Sequence, residues 1–244
     1  MTKLEVMAMS RPRKEHIKVR RFSMAFVIAH AINFISFLAL YLTALPMYTE
    51  AFDWVYNVVG GPENARLLHR IFAVAFITPT FIWAIWDWNG LMRWFKEIVT
   101  WKKRDLQFFQ ETGKELFGFK YKHIPQTFYN AGEKINSWIQ IVTAIMIIGS
   151  GFLIWFPEYF PKALVQWGYL LHNVGFGLAA AVVVGHIYLA AVHKNSNPGI
   201  KGVITGVVPA WWAHDHYTEW YEEEVAKGNF PDLDETKREQ IRGA

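Results

Sequence analysis

The chain has 244 residues, of which 52% are hydrophobic and only 19% charged, with a net charge of +4. It has no cysteine, which excludes disulfides, thiolate catalysis, iron–sulfur clusters held by this chain and cysteine-ligated zinc; a metal here must use His, Met or carboxylates. The small net charge argues against a nucleic-acid partner, whereas 12 Trp, 10 Tyr and 19 Phe suit a membrane interface.

Residues 1–21 are basic, with seven Lys and Arg, and lack the short apolar core and small-residue cleavage site of a secretory signal. The first apolar run follows directly and is expected to remain as a membrane anchor. A helix needs roughly 20 mostly apolar residues to cross the hydrocarbon core. Four runs qualify, at 22–48, 67–86, 135–156 and 163–192, and Arg70 is the one charged side chain within them. The expected fold is an all-α membrane protein, a four-helix transmembrane bundle over 22–192.

Charge bias orients the bundle. The connection from Thr49 to Ala65 has no Lys or Arg and carries Glu50, Asp53 and Glu63. The link at 157–162 has one, Lys162, against nine over 87–134 and six over 193–244. Both termini and the 87–134 loop are therefore expected on the cytoplasmic side. Within that loop LMRWFKEIVTWKK reads as an interfacial amphipathic helix. In the tail, 193–244, the stretch from WWAHDHYTEW onward starts aromatic and ends charged, and reads as interfacial and then solvated.

Four of the nine histidines fall in the spans: His30 in the first, His69 in the second, His172 and His186 in the fourth. Ionisable groups there are costly and tend to carry a partner or a function. Fourteen helical residues turn through about 1400°, some 40° short of four full turns, and rise about 21 Å. His172 and His186 thus share one face at opposite membrane levels, too far apart to share a metal ion. Counting depth along the antiparallel spans pairs His69 with His172 on the outer side and His30 with His186 on the inner side.

Paired imidazoles on facing helices, with no Cys or Met motif, suit bis-histidine haem b, giving two stacked sites. Small residues near His172 and His186 (Gly168, Gly175, Gly177, Gly185, Ala179) leave room for a flat ring. Arg66 and Arg70 on one side, Arg20 and Arg21 on the other, are candidate partners for propionates. Structural hydrogen-bonding histidines and a proton or metal pathway remain open on pattern alone. His16 and His123 read as solvated, His193 as a C-terminal cap beside Lys194, and the His214-Asp215-His216 run as surface.

The motifs ARLLHRIF around His69, YNAGEKINSW over Tyr129–Trp138, LLHNVG around His172, GHIYLA around His186, and IKGVITGVV followed by WYEE carry a resemblance. From about Arg20 to Tyr221 the chain resembles the gamma subunit of membrane-bound formate dehydrogenase, a di-haem cytochrome b. The resemblance implies two haem b groups, ligated by His69 with His172 and by His30 with His186. The family often reads Cys-His-Trp around the third of these; here it is Ala29-His30-Ala31. It also implies a quinone site, for menaquinone or ubiquinone, at His186, Asn130, Gly132 and position 133. The family glutamine is Glu133 here, which either weakens quinone contact or supplies a proton-delivering carboxylate.

The implied function is that of a non-catalytic electron-transfer subunit in a bacterial inner membrane. It anchors an iron–sulfur beta subunit and a molybdenum or tungsten catalytic alpha subunit at the outer face, passes electrons to quinone, and is compatible with a higher oligomer. The cytochrome b of a hydrogenase or thiosulfate reductase is the nearer alternative. A haem-free anchor or proton-conducting protein is the more distant one.

Overall fold

The computed structural model describes residues 17–230, 233 and 235–242. His16 and most of the basic N-terminus lie outside the described residues. The chain divides into two compact units, one of residues 21–93 with 201–206, the other of the described residues before 21, 94–200 and 207 onward.

The first unit is built on two long helices. Helix α1 (Met24–Ala44) begins where the Ser23 hydroxyl accepts the Phe26 amide at 3.2 Å. The same hydroxyl donates to Asp87 Oδ2 at 2.5 Å. Pro46 sits in the short 3-10 turn that ends this span. A six-residue helix, α2 (Trp54–Val59), stops at Gly60, whose φ of 85° only a glycine adopts cheaply. Pro62 then occupies the first turn of α3 (Pro62–Trp86), where its missing amide costs nothing. That turn starts the helix five residues before the expected boundary and sets His69 about two turns inside it. Pro79 interrupts the hydrogen-bond ladder of α3, and Asn33 of α1 donates to the nearby Phe76 carbonyl at 3.4 Å.

Helix α4 (Trp88–Val99) leads from one unit into the next, and α5 (Lys103–Leu116) begins with a capping box between Lys102 and Asp105. The second unit's long helices are α6 (Ala131–Trp155) and α7 (Lys162–Ile187), the latter continued by a π-helical turn at Tyr188–Val192. Helix α6 starts at Ala131, before the expected 135, because Asn130 and Glu133 form a reciprocal capping box. The α6–α7 seam is made of small residues: Gly168, Gly175 and Ala179 are buried, and a Cβ on Gly175 would lie 2.9 Å from Ile147 Cγ1.

Beyond the last span come α8 (Ile200–Thr205), α9 (Ala210–His216), α10 (Thr218–Ala226) and α11 (Glu235–Arg242). Among the described residues two short strands depart from the helical pattern. Strand β1 (Lys18–Arg20) pairs antiparallel with β2 (Val207–Pro209), Val19 opposite Val208. The unit's aromatic core lies in this tail, where Trp211, Trp212, Tyr217, Trp220, Tyr221 and Phe230 are buried.

Among the described residues, four helices are long and apolar enough to cross a membrane: Met24–Met47, Pro62–Trp86, Ala131–Trp155 and Lys162–Val192. At most 22% of any of these spans is buried inside the protein, so their apolar side chains need a lipid solvent. The chain is a multi-pass membrane protein.

Candidate functional site

His69 and His172 share one local design. The Nδ1 of His69 lies 3.0 Å from the Thr43 hydroxyl of α1. That hydroxyl has a single proton, which it gives to the carbonyls of Ala39 and Leu40 at 2.8 and 3.1 Å, the usual outlet for a threonine buried in a helix. It is left as an acceptor, so His69 Nδ1 carries the hydrogen and Nε2 keeps the lone pair. His172 Nδ1 lies 3.1 Å from the Ile147 carbonyl of α6, which can only accept, and 3.1 Å from Ser150 Oγ. Ser150 gives its own proton to Met146 at 2.5 Å. The carbonyl of Ile147 makes His172 again the Nδ1–H tautomer. Iron takes the unprotonated ring nitrogen, and such outer hydrogen bonds orient a metal-binding imidazole. The donor set of both histidines therefore fits a haem iron.

Space is kept for His172 as well. A Cβ on Gly151, one turn from Ile147 on α6, would sit 3.3 Å from the His172 Cε1. Glycine at that position lets the ring lie against the helix backbone.

His30 lies in the second turn of α1, with the Phe26 ring 5.8 Å away and Phe26 packed edge-on against Trp83 of α3 at 5.2 Å. His186 is half-buried near the end of α7, just before the π-helical turn. Such turns are frequent at functional positions because the added residue re-aims nearby side chains. His30 and His69 belong to one unit, His172 and His186 to the other.

The segment before α6 forms a closed polar network. Asn130 Oδ1 accepts the Glu133 amide at 2.9 Å, and Glu133 Oε2 accepts the Asn130 amide at 2.9 Å. Tyr217 donates its hydroxyl proton to Glu133 Oε1 at 3.0 Å and accepts from Asn130 Nδ2 at 3.0 Å. A Cβ on Gly132 would press within 3.2 Å of Asn130 Oδ1, which favours glycine there. Asn130, Gly132, Glu133 and His186 all belong to one unit.

An open cleft of about 90 Å³ backs onto this network, with Tyr217 and Asn130 in its wall and His123, His193 and His216 around it. The His123 and His216 rings meet edge-on at 5.5 Å, and His193 Nδ1 lies 3.0 Å from Ser196 Oγ. Among the described residues no group of three or more His, Asp or Glu side chains is placed to hold a metal ion, and the nearest approach in the His214-Asp215-His216 run is one 3.4 Å contact. Of the arginines, Arg66 lies 3.9 Å from Glu63, and Arg21 is buried with its guanidinium over the Phe22 ring at 4.7 Å.

Sequence reasoning passed over Thr43, Ser150, Gly151 and Tyr217. The signal for the first two was present: a hydroxyl in each apolar span that adjoins a span with a histidine. Nothing in the sequence marks Tyr217, which lies 84 residues from Glu133.

The family model for prokaryotic cytochrome b561 matches residues 21–206. Two similar proteins of Escherichia coli K12 are the cytochrome b556(Fdn) subunit of nitrate-inducible formate dehydrogenase and the cytochrome b556(fdo) subunit of formate dehydrogenase. The first is 26% identical over 193 residues, 78% of this chain and 83% of its own length. The second is 25% identical over 221 residues, 86% and 95%. The formate dehydrogenase cytochrome b556 subunit of Haemophilus influenzae is 26% identical over 209 residues, covering 81% and 80%.

Proposed function

The chain belongs to the prokaryotic cytochrome b561 family, and from that premise we propose that it is the membrane-anchoring di-haem cytochrome b subunit of a formate dehydrogenase. It passes electrons from a partner at the outer face to quinone at the cytoplasmic face of a bacterial inner membrane. The observation that carries this reading is the matched pair of Nδ1 hydrogen bonds made by His69 and His172. Each imidazole is engaged through Nδ1 by a neighbour within its own unit, which makes Nε2 the nitrogen that would bind iron.

His69 and His172 hold the outer haem, His30 and His186 the inner one. Bound there, haem b supplies a one-electron iron couple. The two ligand levels on α7 are about 21 Å apart along the axis, so one helix serves both sides of the membrane. Asn130, Gly132, Glu133 and His186 bind and orient the quinone head, menaquinone or ubiquinone. The names of the similar proteins support other formate dehydrogenase subunits as partners; an iron–sulfur beta subunit and a molybdenum or tungsten alpha subunit on the outer face are the partners the resemblance implies. Both termini then face the cytoplasm.

The test is a reduced-minus-oxidised spectrum of the purified chain with a haem count. Two b-type haems per chain are expected. His69→Ala should remove one of them and His186→Ala the other. A single haem in the wild-type chain, or loss of the same haem in both variants, refutes the pairing.

A further inference from the structure

We propose that Tyr217 and Glu133 are a proton-delivery pair that feeds the quinone end of the chain from the open cleft behind Tyr217. The inference rests on the quinone reading of Glu133 and His186 given above.

Tyr217 is 3% exposed and bridges two groups of side chains. On one side is the cleft, lined by exchangeable groups that include His123, His193, His216, Asp215 and Glu111; His123 and Asp215 are exposed to water. On the other side is Glu133, whose Oε1 receives the Tyr217 hydroxyl proton. The hydrogen bonds have a fixed direction. Asn130 Nδ2 occupies a lone pair of Tyr217, so the phenolic proton points at the carboxylate. Asn130 N–H holds the other carboxylate oxygen. The carboxylate is thereby held at one oxygen by a donor on the cleft wall and at the other by the first amide of the α6 cap.

The balance is simple. Reduction of a quinone to a quinol takes two electrons, supplied by the partner dehydrogenase, and two protons. For each proton, Glu133 loses its O–H bond as a quinone carbonyl oxygen gains one. Glu133 is then reprotonated as the Tyr217 O–H bond breaks, and Tyr217 takes a proton from water in the cleft. No charge accumulates on the pair over the cycle.

A purely structural role for Glu133 makes a different prediction. Its carboxylate completes the capping box of α6, and glutamine does that equally well. Glu133→Gln therefore keeps the cap and the Tyr217 contact but cannot carry a proton. Tyr217→Phe keeps the buried ring and removes the hydroxyl.

The experiment uses the intact complex in membranes, with formate as donor and a short-chain quinone analogue as acceptor. Haem content and haem reduction by formate serve as controls for folding and electron entry. In both variants kcat for quinol formation should fall at least about tenfold, in the range of a lost general acid, with KM for the quinone analogue little changed and a larger solvent isotope effect. Wild-type kcat in either variant overturns the proposal, as does a loss confined to KM or one explained by lost haem. A wild-type complex that shows b-type haem but reduces no quinone overturns the quinone reading itself, and the proposal with it.

Discussion

Thr43→Val is the sharpest probe of the histidine design. Valine matches threonine in shape and removes only the oxygen that accepts His69 Nδ1–H. A polar group deprived of its acceptor away from water costs about 1–3 kcal/mol, and about 1.4 kcal/mol is a factor of ten in affinity. Haem affinity at the outer site should therefore fall by about 10- to 100-fold, the usual range for an outer-shell partner of a metal ligand. Ser150→Ala makes the matched change at His172, but there the Ile147 carbonyl remains at 3.1 Å and no side-chain substitution can remove it. Its effect should stay near about 0.5 kcal/mol, roughly twofold. The assay is the rate of haem loss to an apo-globin scavenger, followed in the b-type band, with potentiometry of the same band. An equal or larger effect of Ser150→Ala, or a neutral Thr43→Val, would show that these hydroxyls do not set the imidazoles.

Lys134 and Asp105 form a buried ion pair, both side chains 2% exposed and 3.3 Å apart, with Lys134 also donating to the Thr100 carbonyl at 3.1 Å. Lys134→Met should cost about 3–5 kcal/mol because it strands a buried carboxylate, and adding Asp105→Asn should recover much of that; thermal unfolding of the four forms in detergent measures the coupling, and additive losses would sink the idea. Glu111 offers a pH-dependent case outside the spans. The hydrogen bond from the Lys114 side chain, and then that from the Lys122 amide, hold its carboxyl below the ordinary value of 4.5. A depressed folded-state pKa means stability that is complete above the ordinary value and is lost as pH falls through the lower one. The melting temperature of Glu111→Gln should lie slightly below wild type at neutral pH, and the gap should close on acidification below 4.5. A gap that stays constant with pH would contradict this.

The four membrane helices were legible because a span is defined by composition and length, both local properties. The boundaries were less so. Counting apolar residues places the third span at 135, whereas the helix starts at Ala131 because a cap is a hydrogen-bond event, not a hydropathy event. The capping spacing of Asn130 and Glu133 was in plain view within a segment read only for quinone contact. The histidines were legible as outliers in apolar runs. Their tautomers were not, since those depend on Thr43 and Ser150, which lie 26 and 22 residues from His69 and His172. Whether a membrane hydroxyl serves its own helix or a neighbour is decided by packing. Tyr217 is the extreme case, because the tail's aromatic residues look the same in sequence whether they meet lipid or one another.

Glu133 shows how far one side chain can be pressed by argument. The helix cap does not require its charge, since a glutamine amide oxygen would accept the Asn130 amide as well. The Tyr217 contact does not require it either, because a phenol donates to an amide oxygen. A carboxylate differs from an amide in two respects only: it carries negative charge, and it can take up and release a proton. The charge is already partly spent, facing the donors Tyr217 and Asn130. Since neither contact requires the charge, the property that a carboxylate adds at this position is the capacity to take up and release a proton. Comparing Glu133→Gln with Glu133→Asp separates the two properties. Aspartate keeps the proton chemistry and shortens the reach, so it should retain more quinone turnover than glutamine. Glutamine outperforming aspartate would mean that the position is valued for its geometry alone.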